Sequence, residues 1–352
     1  MPTESASLSF LSVFSLISFF IFLIIQKFSD KIGNGILLDQ DFIKPQAFHK
    51  DPVSRSGGLA GIIALLVFFI LYYILYQEIL FDYLFLSLAI FILGFSEDIK
   101  FKAHAKSRLA FMIIILTFFI VYFSLDIKAL DLNFLKLLMG NRIFVTCFIL
   151  LCFLFVINGA NLIDGFDGLL TIHLLIINSI ILFIFVSNSY DKFAILVTAQ
   201  IIILFSFLLF NFPKAQMFLG DSGSYLFGSL TALNVITANN LNINISSFFF
   251  ATLLFYLFFE VFFSFFRKLM QKKSPLLPDQ HHLHMLVFKY FEKNHPSRNN
   301  NYLTSLSLNI GYLILILPAI YLMHNPLFSR CWFFILLALY TLFYLRISKY
   351  NK

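Results

Sequence analysis

Apolar stretches of about 20 residues recur along this chain, each long enough to cross the ~30 Å hydrocarbon core of a bilayer as a helix. They fall near 8–26, 58–76, 79–95, 109–125, 143–160, 169–187, 192–210, 225–241, 246–266, 305–323 and 331–346. Composition leaves little room for a soluble alternative: of 352 residues 60% are hydrophobic, 12% are charged and 50 are phenylalanine. A soluble domain carries about twice that charge and could not hide so many rings. The expected fold is therefore all-α, a polytopic integral membrane helical bundle of about 11 transmembrane helices forming a single domain over residues 1–352. Leu8 to Gln26 lacks a basic leader and a following small-residue cleavage site, so it reads as the first membrane helix rather than a removable signal.

With the N-terminus outside, an odd number of spans places the C-terminus in the cytoplasm. The inside loops then carry most of the 25 Lys and Arg residues, leaving Lys128, Lys136, Arg142, Lys192 and Arg330 outside. This bias sets the orientation by the positive-inside rule. It also accounts for the net charge of +7 without nucleic acid. Cys147, Cys152 and Cys331 lie in or beside apolar runs without metal-ligand spacing and read as small hydrophobic residues. The expected catalytic loops lie near 27–57, 96–108, 161–168, 211–224 and 267–304, all on the cytoplasmic face.

The chemistry-bearing residues gather on that face. Asn158-Gly-Ala-Asn-Leu-Ile-Asp-Gly-Phe-Asp-Gly-Leu169 sets Asn161, Asp164 and Asp167 at three-residue intervals, along one helical face directly after an apolar run. Ionisable groups at a membrane edge are costly and usually functional; helix capping explains one Asp, and explains two Asp plus an Asn poorly. Phe218-Leu-Gly-Asp221-Ser-Gly-Ser224, with Asn211 ahead of it, flanks a carboxylate with glycines that let backbone approach a ligand. Glu97 and Asp98 end a helix as adjacent carboxylates. Together with Asp221 they offer the hard oxygen ligands that Mg²⁺ takes when it also keeps waters and phosphates. Because adjacent side chains on a helix diverge, at most one of that pair need bind metal.

Pro278-Asp-Gln-His-His-Leu-His284 places His282 and His284 near carboxylates and basic residues, as phosphate donors or proton-transfer groups; a zinc reading lacks a Cys or HExxH partner. Solvated loop histidines are the blander alternative. His49-Lys-Asp-Pro-Val-Ser-Arg55-Ser-Gly-Gly58 offers Arg55 and a glycine pair to a phosphate. Glu260, deep in an apolar run, is a site candidate by default, or a structural partner for Arg267.

In order along the chain these segments resemble the polyprenyl-phosphate N-acetylhexosamine-1-phosphate transferases, the superfamily of the WecA and MraY types. HKDPVSRSGG is similar to its HxxPxPRxGG loop, GFSED to GxxDD, NGANLIDGFDGL to NxxNxxDGxDGL, NFPKAQMFLGDSGS to NxxPAxxFxGDxGS and PDQHHLHM to PDRxHxHH. The resemblance covers roughly residues 45–290. It implies transfer of a sugar 1-phosphate from a UDP-N-acetylhexosamine to undecaprenyl phosphate, with release of UMP, on a bacterial inner membrane. It further implies Mg²⁺, or Mn²⁺ in its place, held mainly by Asp221 with Asp98. Phe218 would stack on uracil, Asn161, Asp164 and Asp167 would line the nucleotide pocket, and His282 and His284 would contact the diphosphate. Glu97 and Asp98 would sit by the lipid phosphate, with Arg55 and Asn211 also on the substrate side.

Departures from the pattern are Glu97 for an Asp, Gln280 for an Arg, Met285 for a His, and Ser54 and Lys214 for prolines. None removes a carboxylate. The PDxxHLH form favours the WecA type, which primes lipid-linked glycans such as O-antigen, over the peptidoglycan enzyme that uses a UDP-muramyl pentapeptide. A secondary transporter is disfavoured because transporters bind near the bilayer midplane. A pseudoenzyme and a homodimer both stay open.

Overall fold

The computed structural model describes residues 4–29, 31, 35–39, 52–99, 101, 104–128, 130–274, 279–296 and 299–351. Across them run α1 (Glu4–Phe28), β1 (Leu38–Asp39), β2 (Val53–Ser54), α2 (Gly57–Tyr76), α3 (Phe81–Asp98), α4 (Ala105–Tyr122), α5 (Asn133–Leu138), α6 (Arg142–Ile163) and α7 (Leu169–Ser187). There follow α8 (Asp191–Asn211), α9 (Gly220–Leu241), α10 (Ser247–Leu253), α11 (Phe255–Met270), α12 (Leu283–Asn294), α13 (Asn300–Tyr321) and α14 (Pro326–Tyr350). The fold is all-α and polytopic; β1 and β2 form only a two-residue antiparallel ribbon. His49, Lys50, Asp51 and Pro278 of the expected motifs lie outside the described residues.

Every expected span falls on helix, but the helices are not equally fit for lipid. Among the described residues eight are long and apolar enough to cross a bilayer, or nine if α10 and α11, bent by 73° at Leu254, count as one broken span. The expected eleven also included α3 and α9. α3 carries Asp82, Glu97 and Asp98 in 18 residues, and α9 is rich in Gly, Ser, Thr and Asn. Both are sheltered by protein, which is how polar residues are tolerated at membrane depth.

α9 is the axis of the bundle, packed against α2, α3, α6, α7 and α8 and buried along nearly its whole length. Its polar side chains close on one another and on their neighbours. Asn234 donates to Asn178 Oδ1 (3.1 Å) and Gln200 Oε1 (2.8 Å) and accepts from Tyr83 (3.0 Å). Thr231 accepts from Asn178 (2.9 Å) and Gln200 (3.0 Å). This network ties α3, α7 and α8 to α9, and its satisfaction offsets the cost of burying amides. Around that axis the outer helices turn large apolar side chains outward; Ile143, Phe183, Leu313 and Leu342 are among those exposed. In water such a surface would aggregate, and in lipid it is the expected exterior.

Candidate active site

The N-terminus of α9 is where the expected motifs meet. Residues 217–219 lie beside the chain leading into α2: Phe218 N donates to Ser54 O (2.8 Å), Gly57 N to Phe218 O (2.9 Å) and Gly58 N to Leu219 O (2.8 Å). Gly220 then turns the backbone at φ +75°, a left-handed value that suits glycine. A Cβ there would lie 2.7 Å from both oxygens of Asp98. The reason is that Asp98 occupies the helix end. Its Oδ1 accepts from Asp221 N (2.9 Å), and its Oδ2 from Ser222 N (2.9 Å) and Ser222 Oγ (2.5 Å). First-turn amides lack partners within their own helix, and the helix dipole favours an anion there. Asp98 of α3 is thus the cap that α9 lacks. One turn back, a Cβ at Gly94 would meet Asp221 O at 2.5 Å, so α3 and α9 cross backbone against backbone.

Asp221 stands on this platform. Asn161, from the last turn of α6, donates to Asp221 Oδ1 (2.8 Å) and to Ser224 Oγ (3.1 Å). Arg108, from the first turn of α4, lies 3.2 Å from Glu97 Oε2 and 3.9 Å from Asp221 Oδ2. The other oxygen of Glu97 is buried and meets no donor among the described residues. Asp164 closes the group: burial pushes its carboxyl up to about 8, the Asp221 and Asp98 carboxylates add to the rise, and Arg55 opposes it. Arg55 is itself anchored on Asp39 of β1, with Nε at 3.0 Å and a terminal nitrogen at 2.5 Å.

This donor set fits a hard cation. The buried Glu97 oxygen without a partner among the described residues and the partly exposed Asp221 carboxylate supply hard oxygen donors of the kind such a cation takes. Among the described residues no three His, Cys, Asp or Glu side chains converge into a cage by themselves. Mg²⁺ suits such a site, because it takes one or two carboxylates and completes its shell with water and phosphate.

Two residues expected in the pocket are turned to construction. Asp167 Oδ2 accepts from Ala215 N (3.1 Å) and its amide donates to Asn301 Oδ1 (2.7 Å), while burial still pushes its carboxyl up to about 6. Asn211 accepts from Gly168 N (2.7 Å) and donates to Met217 O (2.9 Å). Together they fasten the 164–168 turn to the 211–219 loop and to α13.

A second group lies beside the first. His282 Nδ1 is 3.0 Å from Glu260 Oε1, which also accepts from Leu283 N (3.2 Å), and Glu260 Oε2 accepts from the Tyr340 hydroxyl. Glu260 therefore braces the histidine loop. The expected alternative, a pairing with Arg267, is not what forms: Arg267 pairs with Asp279, and, against the opposing effect of burial, hydrogen bonds with His281 and Arg267 hold that carboxyl well below its usual range. His284 stacks on His282 with ring centroids 5.6 Å apart and meets the edge of Phe166. Fully buried, it is pushed down to about 3 despite nearby Glu260 and stays neutral, with neither ring nitrogen bonded among the described residues.

One end of the bundle thus collects Glu97, Asp98, Asn161, Asp164, Asp221 and Arg55, with His282 and His284 alongside and Phe218 at the β2 crossing. Asp167 and Asn211 lie underneath as fasteners. Arg108 was not among the expected site residues. Its only sequence signal was a basic pair, Lys106 and Arg108, that topology already explained. Asp39 lay ahead of every recognised motif and gave no signal at all.

A lipid-facing exterior, a sheltered polar axis and carboxylates with two arginines massed at one end define a multi-pass membrane enzyme. Residues 80–239 match the profile of glycosyl transferase family 4. It is also 27% identical over 273 residues to an undecaprenyl-phosphate alpha-N-acetylglucosaminyl 1-phosphate transferase of Thermotoga maritima, an alignment covering 77% of this chain and 78% of that protein. The matched segment holds GFSED, NGANLIDGFDGL and FLGDSGS. The family resemblance read from those motifs is borne out.

Proposed function

We propose that this protein transfers an N-acetylhexosamine 1-phosphate, N-acetylglucosamine 1-phosphate foremost, from a UDP-sugar to undecaprenyl phosphate. Release of UMP would accompany priming of a lipid-linked envelope glycan such as O-antigen, at the cytoplasmic side of a bacterial inner membrane. What carries the reading is the convergence of Glu97, Arg108, Asn161, Asp164 and Asp221 on one helix N-terminus. The activity of the Thermotoga maritima relative suggests the substrate class.

In this reaction an oxygen of the lipid phosphate attacks the sugar-bearing phosphorus of the donor. The bridging P–O bond breaks, and its electrons leave with UMP. Both reactants are anions, so the protein's work is positioning and charge compensation rather than covalent chemistry. Arg55 and Arg108 offer fixed positive charge to the phosphates. Asn161 holds Asp221 by one oxygen and leaves the other turned toward Arg108. Neutral His284 has both ring nitrogens available to a diphosphate oxygen or its proton. Phe218 offers a ring face to the uracil. Mg²⁺, or Mn²⁺, bound at Asp221 with Glu97 would neutralise charge on the diphosphate. Asp98, given over to the α9 amides, supports that site from beneath.

The test is UMP release by purified protein given undecaprenyl phosphate, Mg²⁺ and a panel of UDP-sugars. Release that needs both substrates, stops on chelation and is abolished by Asp221→Asn is the expected result. Folded protein that releases no UMP with any sugar of the panel would overturn the reading.

A further inference from the structure

The last helices enclose a space that the candidate active site does not use. A cavity of about 740 Å³ lies between α11, α12, α13 and α14, on the opposite side of α11 from its contact with α6. Its walls are apolar and aromatic, including Phe255, Leu315, Leu336 and Phe343, and its lining reaches lipid-exposed positions at Leu339 and Phe343. Lining residues run from Ser307 to Ile316 on α13 and from Leu336 to Tyr350 on α14. At ~1.5 Å per residue these are about 14 and 21 Å, close to one leaflet of a ~30 Å hydrocarbon core.

The slot is not uniform along its length. Its polar end, where Tyr290, Arg346 and Tyr350 line it, lies on the same side of the bundle as His281 and His284. Arg346 is exposed and has no ion-pair partner among the described residues. Exposed Lys289, Lys293 and Lys349 flank it on α12 and α14, and Lys293 sits over the Tyr350 ring at 4.8 Å. A lateral apolar slot ending in a basic mouth matches a chain with a negative head, and basic pockets between membrane helices hold anionic headgroups for this reason. Volume agrees, since the cavity lies within the ~300–1,000 Å³ of ligand pockets.

We propose that this slot binds an anionic phospholipid, one acyl chain between α13 and α14 and its phosphate on Arg346. The site is separate from the carboxylate cluster and does not depend on the proposed transferase reaction. It has a structural connection to it, however: Tyr340 lines the slot with its ring and donates its hydroxyl to Glu260. An occupant therefore packs against the side chain that braces the histidine loop.

Gly311 provides a clean test. It lines the slot, and a Cβ built on it meets nothing within 4 Å. Gly311→Leu therefore starts its side chain in open space and extends it into the slot, and leucine favours helix over glycine. Wild type, Gly311→Leu and Arg346→Gln would be reconstituted in vesicles of equal phosphatidylglycerol and phosphatidylcholine. After extraction and detergent washing, the retained lipid would be counted by mass spectrometry. Wild type is expected to keep about one phosphatidylglycerol per chain and Gly311→Leu to lose it, with unchanged melting behaviour. Arg346→Gln should cut the preference for phosphatidylglycerol about five-fold, the effect of one basic residue on an anionic head. Equal retention by wild type and Gly311→Leu would overturn the proposal. So would finding, in protein purified from cells, a polyprenyl phosphate in the slot instead of a phospholipid.

Discussion

At the scale of single residues, adjacent carboxylates have parted company. Asp98 is spent on the α9 amides, whereas Glu97 keeps one buried oxygen without a partner. Asp98→Asn should lower stability by about 2 kcal/mol, because a charged acceptor of several hydrogen bonds becomes a half-mismatched amide. Glu97→Gln should leave the melting temperature within experimental error and remove turnover, while Glu97→Asp should be tolerated. Melting curves and UMP release on the same preparations separate the two roles. Gly220→Ala should destabilise by more than about 1 kcal/mol, since it forces a Cβ into a left-handed backbone and against Asp98. Asp279 adds a pH dependence. His281 and Arg267 together hold its carboxyl below the ordinary ~3.9, so its contribution is full above that value and is lost as pH falls through the lower folded one. The gap in melting temperature between wild type and Asp279→Asn should be constant near neutrality and narrow below about pH 4.

Elements show where sequence reading stopped. Apolar runs marked every helix except the short α5 and α12, because lipid-facing surface announces itself residue by residue. The carboxylate motifs marked the site because charge at a membrane edge is conspicuous. Partners could not be read the same way. Glu260 sits seven residues from Arg267, and spacing offered that pairing as the alternative to a site role; the bend between α10 and α11 and the arrival of α14 give it His282 and Tyr340 instead. Asp167 was expected in the pocket from its three-residue spacing with Asn161 and Asp164, and Asn211 from its place ahead of the Asp221 motif; neither pattern named their protein partners. Their bonds to Ala215, Gly168 and Met217 are set by how two loops dock, which no local pattern encodes. α9 illustrates the same limit, since its Asn, Thr and Ser content reads as weak membrane helix until its neighbours are known. Asn234→Leu is expected to strand the amides of Asn178 and Gln200 at a cost of about 1–3 kcal/mol. A melting series with Asn234→Leu against a lipid-facing control such as Ile143→Leu would show that loss.

For the molecule as a whole, the two ends differ. Lys192 and Glu78 pair at one end, 2.5 Å apart, and Lys214 lies in the loop before α9 at the other. In a cysteine-free background, Lys192→Cys should react with an impermeant thiol reagent in intact cells, and Lys214→Cys only after permeabilisation. The reverse pattern would invert the proposed orientation. The hydrogen bonds of the last helix carry a consequence for timing. Tyr340 holds Glu260, and Tyr344 donates to His281 O at 3.0 Å, so residues of α14 complete a site whose carboxylates are translated well before them. A nascent chain released into the membrane early would hold every acidic residue and an unfinished histidine loop. Competence would then wait for α14 rather than accumulate helix by helix, leaving a half-inserted chain inert toward the nucleotides around it.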